Sequence, residues 1–66
     1  MVKIILSAAR VNAGFNQREV ADLMNVSRNT IQSWEQYKTS PSAEQAERLS
    51  SLYDLPLENI IFSKKN

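Results

Sequence analysis

Residues 17–35, QREVADLMNVSRNTIQSWE, decide the fold of this 66-residue chain. Asn16, which precedes the stretch, is a favoured N-cap residue, and Glu19 stands three residues further on, as in a capping box. The apolar residues that follow share one face at helical spacing: Val20, Ala21 and Met24. The pattern predicts a short helix over about residues 17–24.

The second half of this stretch predicts another helix after a very short link. Asn25 tolerates a positive φ, and Ser27 is the next N-cap candidate, so the second helix would cover residues 28 to about 36. Its inner side would carry Ile31, Trp34 and Glu35. Because only three residues separate the two helices, the chain must cross sharply between them, which is the geometry of a helix-turn-helix over about residues 17–36.

The N-terminal part of the chain predicts one helix before this unit. Its apolar residues recur at helical spacing: Val2, Ile5, Leu6, Ala9 and Ala13. Gly14 readily adopts the left-handed conformation that ends helices. We therefore place this first helix at about Val2 to Ala13.

The C-terminal part predicts two further helices and a tail. Ser42 and Gln45 form another capping box after a polar loop, and the inner face of this helix would carry Ala46, Leu49, Leu52 and Tyr53. Residues 57–62 form a short apolar segment that we predict to be the last helix. Residues 63–66 are a basic tail. No linker or repeat is visible, so residues 1–66 are expected to form a single domain.

Composition excludes several classes of function. The chain has no Cys and no His, so it cannot build a disulfide, a thiolate metal site or a Ser–His nucleophile pair. Its single glycine excludes a phosphate-cradling loop. The longest apolar run, residues 4–6, is too short for a membrane span or a signal peptide. We predict a cytoplasmic protein that is no enzyme, with no metal, no cofactor, no membrane partner and no small-molecule ligand.

Residues 17–35 resemble the core of the Cro and lambda-type phage repressors, an XRE-like helix-turn-helix DNA-binding family. The similarity extends from LSAAR at residues 6–10 to LENII at residues 57–61. It is carried by residues at fixed offsets: Gln17, Ala21, Val26, Ser27, Ile31, Trp34, Glu35, Pro41 and Ser42. The resemblance implies an all-α, compact five-helix bundle that binds double-stranded DNA.

The chain departs from the family pattern at a few positions. Asn25 stands where the family most often has Gly, and Asn can still adopt the required turn. Tyr37 also stands where Gly is common, so the end of helix 3, the helix that begins at Arg28, can extend or turn differently. Ala43 and Ala46 occupy positions that usually carry larger residues, which predicts a thinner core near the fourth helix. None of these residues lies on the face that we expect to contact DNA.

The outer face of the helix that begins at Arg28 is the predicted base-contacting surface. If Ile31 and Trp34 face the core, the opposite side presents amides, a hydroxyl and a guanidinium, with no carboxylate. Asn and Gln can pair with adenine, and Arg with guanine. A merely solvated face is the alternative, but such faces favour Lys and Glu. The predicted base-contacting residues are Arg28, Asn29, Gln32 and Ser33.

A second set of residues is expected to contact the DNA backbone. Helix N-termini present free N–H groups that favour a phosphate. A cation in the first turn opposes the helix dipole, so Arg18 and Arg28 have no obvious folding benefit there. Simple capping is the alternative for Asn16, and an ordinary loop lysine is the alternative for Lys38. The predicted backbone-contacting residues are Asn16, Gln17, Arg18, Ser27, Gln36, Lys38 and Thr39.

The resemblance also implies one structural ion pair and an oligomeric state. An Arg near the end of helix 1 pairs with a Glu near the end of helix 3 in the family, which here are Arg10 and Glu35. Trp34 is interpreted as a core residue. The C-terminal segment has more apolar residues than one short element can bury, and we predict that they form a dimer interface: Leu55, Leu57, Ile60, Ile61 and Phe62.

These features lead to one main functional hypothesis and one alternative. A net charge of +1 gives a single copy few cations with which to bind DNA. We therefore predict a homodimeric transcriptional repressor that binds a palindromic operator with helix 3 in the major groove. The alternative is an antitoxin-like or other protein-interaction module that uses the same fold, because the apolar C-terminus would suit a different protein equally well.

Overall fold

The computed structural model of the chain describes residues 3–63. Its elements follow in the order β1 (Ile4–Ile5), α1 (Leu6–Asn12), α2 (Gln17–Met24), α3 (Arg28–Glu35), α4 (Ala43–Tyr53), a 3₁₀ helix (Leu57–Asn59) and β2 (Ile60–Ile61). Within the described residues no helix is long and apolar enough to cross a membrane.

Three of the helices begin at side-chain caps. The side-chain oxygens of Asn16, Ser27 and Ser42 accept hydrogen bonds from the backbone N–H three residues further on. The distance is 2.8 Å at Asn16 and 3.1 Å at both serines. Asn16 and Ser42 form complete capping boxes. The predicted starts of α2, α3 and α4 are therefore confirmed.

Each α-helix in the described part of the chain is followed by a residue with positive φ. These residues are Gly14 (φ 88°), Asn25 (φ 59°), Tyr37 (φ 61°) and Asp54 (φ 56°). The left-handed conformation lets the backbone N–H groups that follow a helix bond back to its last carbonyls. Glycine, which adopts this conformation freely, occupies one of the four positions.

One hydrophobic core joins the four helices and β2. Its members are Leu6, Ala9, Val20, Ala21, Met24, Ile31, Trp34, Leu49, Tyr53 and Ile60. Ile31 and Trp34 contribute the inner face of α3 and are 1% and 4% exposed. The core therefore fixes which side of α3 is turned to solvent.

The two ends of the chain correct the predicted five-helix, all-α bundle. The first helix begins at Leu6 rather than Val2, which lies outside the described residues, and the last segment is a 3₁₀ helix and a strand rather than a helix over residues 57–62. Strands β1 and β2 pair in parallel, with Ile4 opposite Ile60. β-branched residues favour strands. Residues 3–63 thus contain four α-helices and a two-stranded sheet. The predicted tail lies, apart from residue 63, outside them.

Candidate nucleic-acid interface

The link between α2 and α3 is a turn held by two backbone hydrogen bonds. Asn25 adopts φ 59° and ψ 44°. The Val26 N–H then donates to the Ala21 carbonyl at 3.0 Å, and the Asn25 N–H donates to the Asp22 carbonyl at 3.2 Å. Ser27 follows at once as the N-cap of α3. The chain therefore changes direction within three residues, as the sequence predicts for a helix-turn-helix.

The side of α3 opposite its buried residues is free of carboxylates. Arg28, Asn29 and Gln36 are exposed there, and Gln32 and Ser33 are half-buried. The four predicted base-contacting residues therefore lie together on one helical face, away from Ile31 and Trp34. This face offers hydrogen-bond donors and acceptors with one positive charge.

Glu35, the one carboxylate of α3, is neutralised on the inner side. The Arg10 Nε donates to Glu35 Oε2 at 2.6 Å, and Arg10 Nη2 donates to Oε1 at 3.3 Å. These side chains are 14% and 8% exposed. Gln17 Nε2 donates to Oε1 as well, at 2.9 Å. The structure thus brings Arg10 and Glu35 together as expected, and the cluster joins α1, α2 and α3.

Three side chains expected at the DNA backbone have partners within the protein. Asn16 and Ser27 are N-caps, Ser27 Oγ also lies 2.9 Å from Thr30 Oγ1, and Gln17 donates to Glu35. The starts of α2 and α3 still present main-chain N–H groups, which suit a phosphate oxygen. The Gln17 contact was missed from the sequence, because residues 17 and 35 are not neighbours on any one helix.

The remaining residues of the predicted backbone set are exposed: Arg18, Gln36, Lys38 and Thr39. Between residues 25 and 43 the chain has Arg28 and Lys38, and its one acidic residue is the neutralised Glu35. The other acidic residues lie outside this segment: Glu19, Asp22, Glu44, Glu47, Asp54 and Glu58. The near-neutral chain therefore has an unevenly distributed charge, with a positive segment around α3.

Tyr53 lies behind the ion pair. The pKa of the Tyr53 hydroxyl is raised to about 12, chiefly because the hydroxyl is buried and also because of the negative charge of Glu35, while the positive charge of Arg10 acts to lower it. The ring of Phe15 lies with its centroid 6.5 Å from that of Tyr53. The Phe15 carbonyl accepts from Arg10 Nη1 at 2.9 Å. The Tyr53 hydroxyl is therefore neutral at ordinary pH and lies close enough to the ion pair to sense both of its charges.

The predicted dimer residues differ in exposure. Leu57 is 40% exposed, and Leu55, Ile61 and Phe62 are half-buried. Ile60 is 4% exposed and packs in the core, which corrects its assignment to an interface. In β2 the Ile60 side chain packs into the core, whereas the sequence leaves open which of Ile60 and Ile61 faces a partner.

An open groove of about 670 Å³ lies between the strand pair and the end of α3. Ile5, which the sequence analysis placed on a buried helix face, lines this groove and is 48% exposed. Tyr37 lines it too, and its Oη accepts from the Leu6 N–H at 3.2 Å and donates to the Ile61 carbonyl at 2.8 Å. Sequence reasoning missed this contact, whose single signal was a tyrosine at a position commonly held by glycine.

Comparisons with known proteins agree with this geometry. Residues 6–60 match a family model described as helix-turn-helix. The HTH-type transcriptional regulator ImmR of Bacillus subtilis (strain 168) is 31% identical over 65 residues, which cover 92% of this chain and 51% of ImmR. The cryptic phage CTXphi transcriptional repressor RstR of Vibrio cholerae is 35% identical over 52 residues, which cover 79% of this chain and 47% of RstR. The chain spans about half the length of these relatives. No solved structure shows a significant match.

Proposed function

This chain belongs to the XRE-type helix-turn-helix family, and from that membership we propose that it is a sequence-specific DNA-binding transcriptional repressor. The family match confirms the resemblance that residues 17–35 indicate. The observation that carries the proposal is the exposed face of α3, which has no free carboxylate and is held by a partly buried ion pair. Such a face can enter the major groove without repelling phosphates.

The base contacts are assigned to the outer face of α3. Arg28 can donate two hydrogen bonds to guanine, and Asn29 can pair with adenine through both amide atoms. Gln32 and Ser33 are half-buried, so they reach bases only when α3 lies deep in the groove. Their hydrogen bonds would then add to the discrimination.

The backbone contacts are assigned to the two ends of the helix-turn-helix. At one end, the N–H groups that begin α2 and the guanidinium of Arg18 face a phosphate. At the other end, Gln36, Lys38 and Thr39 contact the strand that borders the same groove. Arg18 and Lys38 are exposed cations, and each phosphate contact of this kind would make the affinity salt-dependent.

We further propose that the working unit is a homodimer on a palindromic operator. Two copies double the number of cations and place two α3 helices about 34 Å apart, one turn of DNA. The partly exposed apolar residues near the C-terminus support this arrangement: Leu55, Leu57, Ile61 and Phe62. Ile5, on the neighbouring strand, extends the same apolar surface.

Selection of binding sites from random duplexes tests the function directly. A palindromic sequence is the expected result. Asn29→Ala should then weaken binding to the selected operator by about 1–3 kcal/mol and relax one base position per half-site. Asn12→Ala, at the end of α1, is the matched control and should bind like the wild type. If Asn29→Ala weakened binding to random DNA by the same amount, Asn29 would not contact a base.

Sedimentation at micromolar concentration tests the dimer. Leu57→Asp should give a monomer that keeps its helical content and loses cooperative operator binding, because a charge would be buried at the interface. Val11→Asp changes a residue that is 61% exposed on α1, and it should leave the dimer intact. A wild-type monomer that binds one half-site as tightly as a palindrome contradicts the dimer. A chain that selects no duplex contradicts DNA binding and favours the protein-interaction alternative.

A further inference from the structure

Tyr37 occupies a backbone position that favours glycine. It follows α3 directly with φ 61°. The Lys38 N–H donates to the Ser33 carbonyl at 3.0 Å, and the Tyr37 N–H donates to the Trp34 carbonyl at 3.1 Å. This hydrogen-bond pattern ends many helices, usually with glycine in the left-handed position, because a β carbon is disfavoured there. The turn alone therefore gives no reason for a tyrosine.

The hydroxyl of Tyr37 supplies such a reason. It accepts a hydrogen bond from the Leu6 N–H at 3.2 Å and donates one to the Ile61 carbonyl at 2.8 Å. Leu6 directly follows β1, and Ile61 ends β2. One partly buried side chain thus joins β2 and the junction between β1 and α1 to the end of α3. The partners lie 31 and 24 residues away along the chain, so this contact is tertiary and does not belong to the turn.

The anchoring of α3 has two parts. Glu35 is held from α1 and α2 by Arg10 and Gln17, on the side of the ion pair. Tyr37 is held by the strand pair, and Lys38 and Thr39, which are both exposed, follow it immediately. Loss of the Tyr37 contacts would therefore free the end of α3 and the two residues assigned to the DNA backbone, and it would leave the ion pair in place.

We infer that Tyr37 is a positioning residue for DNA binding, through which the strand pair fixes the orientation of the end of α3 and of Lys38 and Thr39. The inference rests on the proposed DNA-binding function. The Tyr37 hydroxyl accepts one hydrogen bond and donates another, so the ring is held in place. The ring in turn holds the Tyr37 backbone in the left-handed conformation, which a residue with a β carbon disfavours. The strand pair thereby takes part in DNA recognition without touching DNA.

Two substitutions at Tyr37 separate positioning from turn formation. Tyr37→Phe keeps the ring and loses both hydrogen bonds, and it should lower operator affinity by about fivefold or more. Tyr37→Gly relieves the left-handed turn but also loses the hydroxyl, and it should lose at least as much affinity. Ser50→Ala is the matched control: it removes a side-chain hydrogen bond to the Leu55 carbonyl at the end of α4 and should stay within about twofold of the wild type.

Amide hydrogen exchange without DNA gives an independent measurement. In Tyr37→Phe the amides of Leu6 and Lys38 should exchange faster, while helical content by circular dichroism and the exchange of core amides in α2 stay close to the wild type. Ser50→Ala should leave the Leu6 and Lys38 amides unchanged.

The outcomes separate the two ideas. If Tyr37→Gly binds the operator as tightly as the wild type, Tyr37 merely forms a turn and the inference is wrong. If Tyr37→Phe leaves the amide exchange of Leu6 and Lys38 unchanged, Tyr37 does not couple the strand pair to the end of α3, and the inference is also wrong. If the wild-type chain binds no duplex in the same titrations, the proposed function fails, whatever the exchange data show about the coupling.

Discussion

The helix-turn-helix and the terminal strand pair are stabilised in opposite ways. In residues 16–36 the hydrogen bonds that begin α2 and α3 and form the turn between them join residues that are three to five positions apart. In the strand pair, Ile4 lies opposite Ile60 and Ile5 opposite Ile61, so the contacts join the two ends of the chain. The difference teaches that the turns and caps of the helix-turn-helix are encoded locally, whereas the strand pair that closes the core depends on residues far apart in the sequence.

Substitution of Ile60 should have the largest effect. Ile60→Ala should lower the free energy of unfolding by about 3 kcal/mol, because it leaves a cavity where β2 enters the core. Val11→Ala, at a residue of α1 that is 61% exposed and outside the proposed dimer interface, should cost less than about 1 kcal/mol. Urea unfolding at two protein concentrations measures both. Equal losses would mean that β2 is not part of the core.

The ion pair should come next, because it links α1 to the helix-turn-helix. Arg10→Ala should lower the free energy of unfolding by about 2 kcal/mol, since Glu35 would keep a mostly buried charge without its partner. Arg48→Ala, an exposed arginine on α4, is the control and should change stability by less than about 0.5 kcal/mol. Denaturant unfolding of the two variants side by side measures the difference, and coinciding midpoints would contradict the prediction.

A pair of serine caps sharpens the comparison further. Ser27→Ala and Ser42→Ala each remove one capping hydrogen bond of 3.1 Å, and each should cost about 1 kcal/mol. Of the two, we expect Ser27→Ala alone to weaken operator binding, since Ser27 caps α3 and Ser42 caps α4. Thermal unfolding and operator titration on the same samples test this. A similar loss of operator affinity in both variants would show that the affinity depends on the stability of the whole fold and not on the cap of α3.

The smallest expected effect concerns Tyr53, whose ionisation changes the free energy of unfolding only at alkaline pH. The pKa of its hydroxyl is about 12 in the folded chain and near 10 when unfolded. Between these values the unfolded state loses a proton that the folded state keeps, so this group lowers stability as the pH rises from about 10 to about 12. Tyr53→Phe should show a shallower decline across that window. Denaturant midpoints at pH 9, 10 and 11 provide the measurement, and parallel curves would refute it.

Sequence reasoning was accurate where a single short-range signal determines the structure. Asn16, Ser27 and Ser42 mark the starts of three helices because a cap needs only the N–H groups of the next turn. The outer face of α3 follows from the burial of Ile31 and Trp34. In both cases the determining residues lie within one or two helical turns of each other.

The same reasoning failed where the partner is distant in sequence. Ile5 and Leu6 fit a helical spacing, and nothing nearby indicates that Ile4 and Ile5 pair with residues 60 and 61 instead. For the same reason the sequence does not reveal that Gln17 donates a hydrogen bond to Glu35. Short apolar runs fit a helix and a strand equally well, and the three-dimensional partner decides between them.

Because β1 pairs in parallel with β2, the strand pair can form only after the residues between the two strands have been synthesised. Ile4 and Ile5 leave the ribosome early, but residues 60 and 61 follow only after all four helices have been made. The caps of α2 and α3 can form on the growing chain, since their partners are local. Ile4 and Ile5 therefore lack their strand partner until residues 60 and 61 have been made, and an unpaired apolar segment of this kind favours association between incomplete chains.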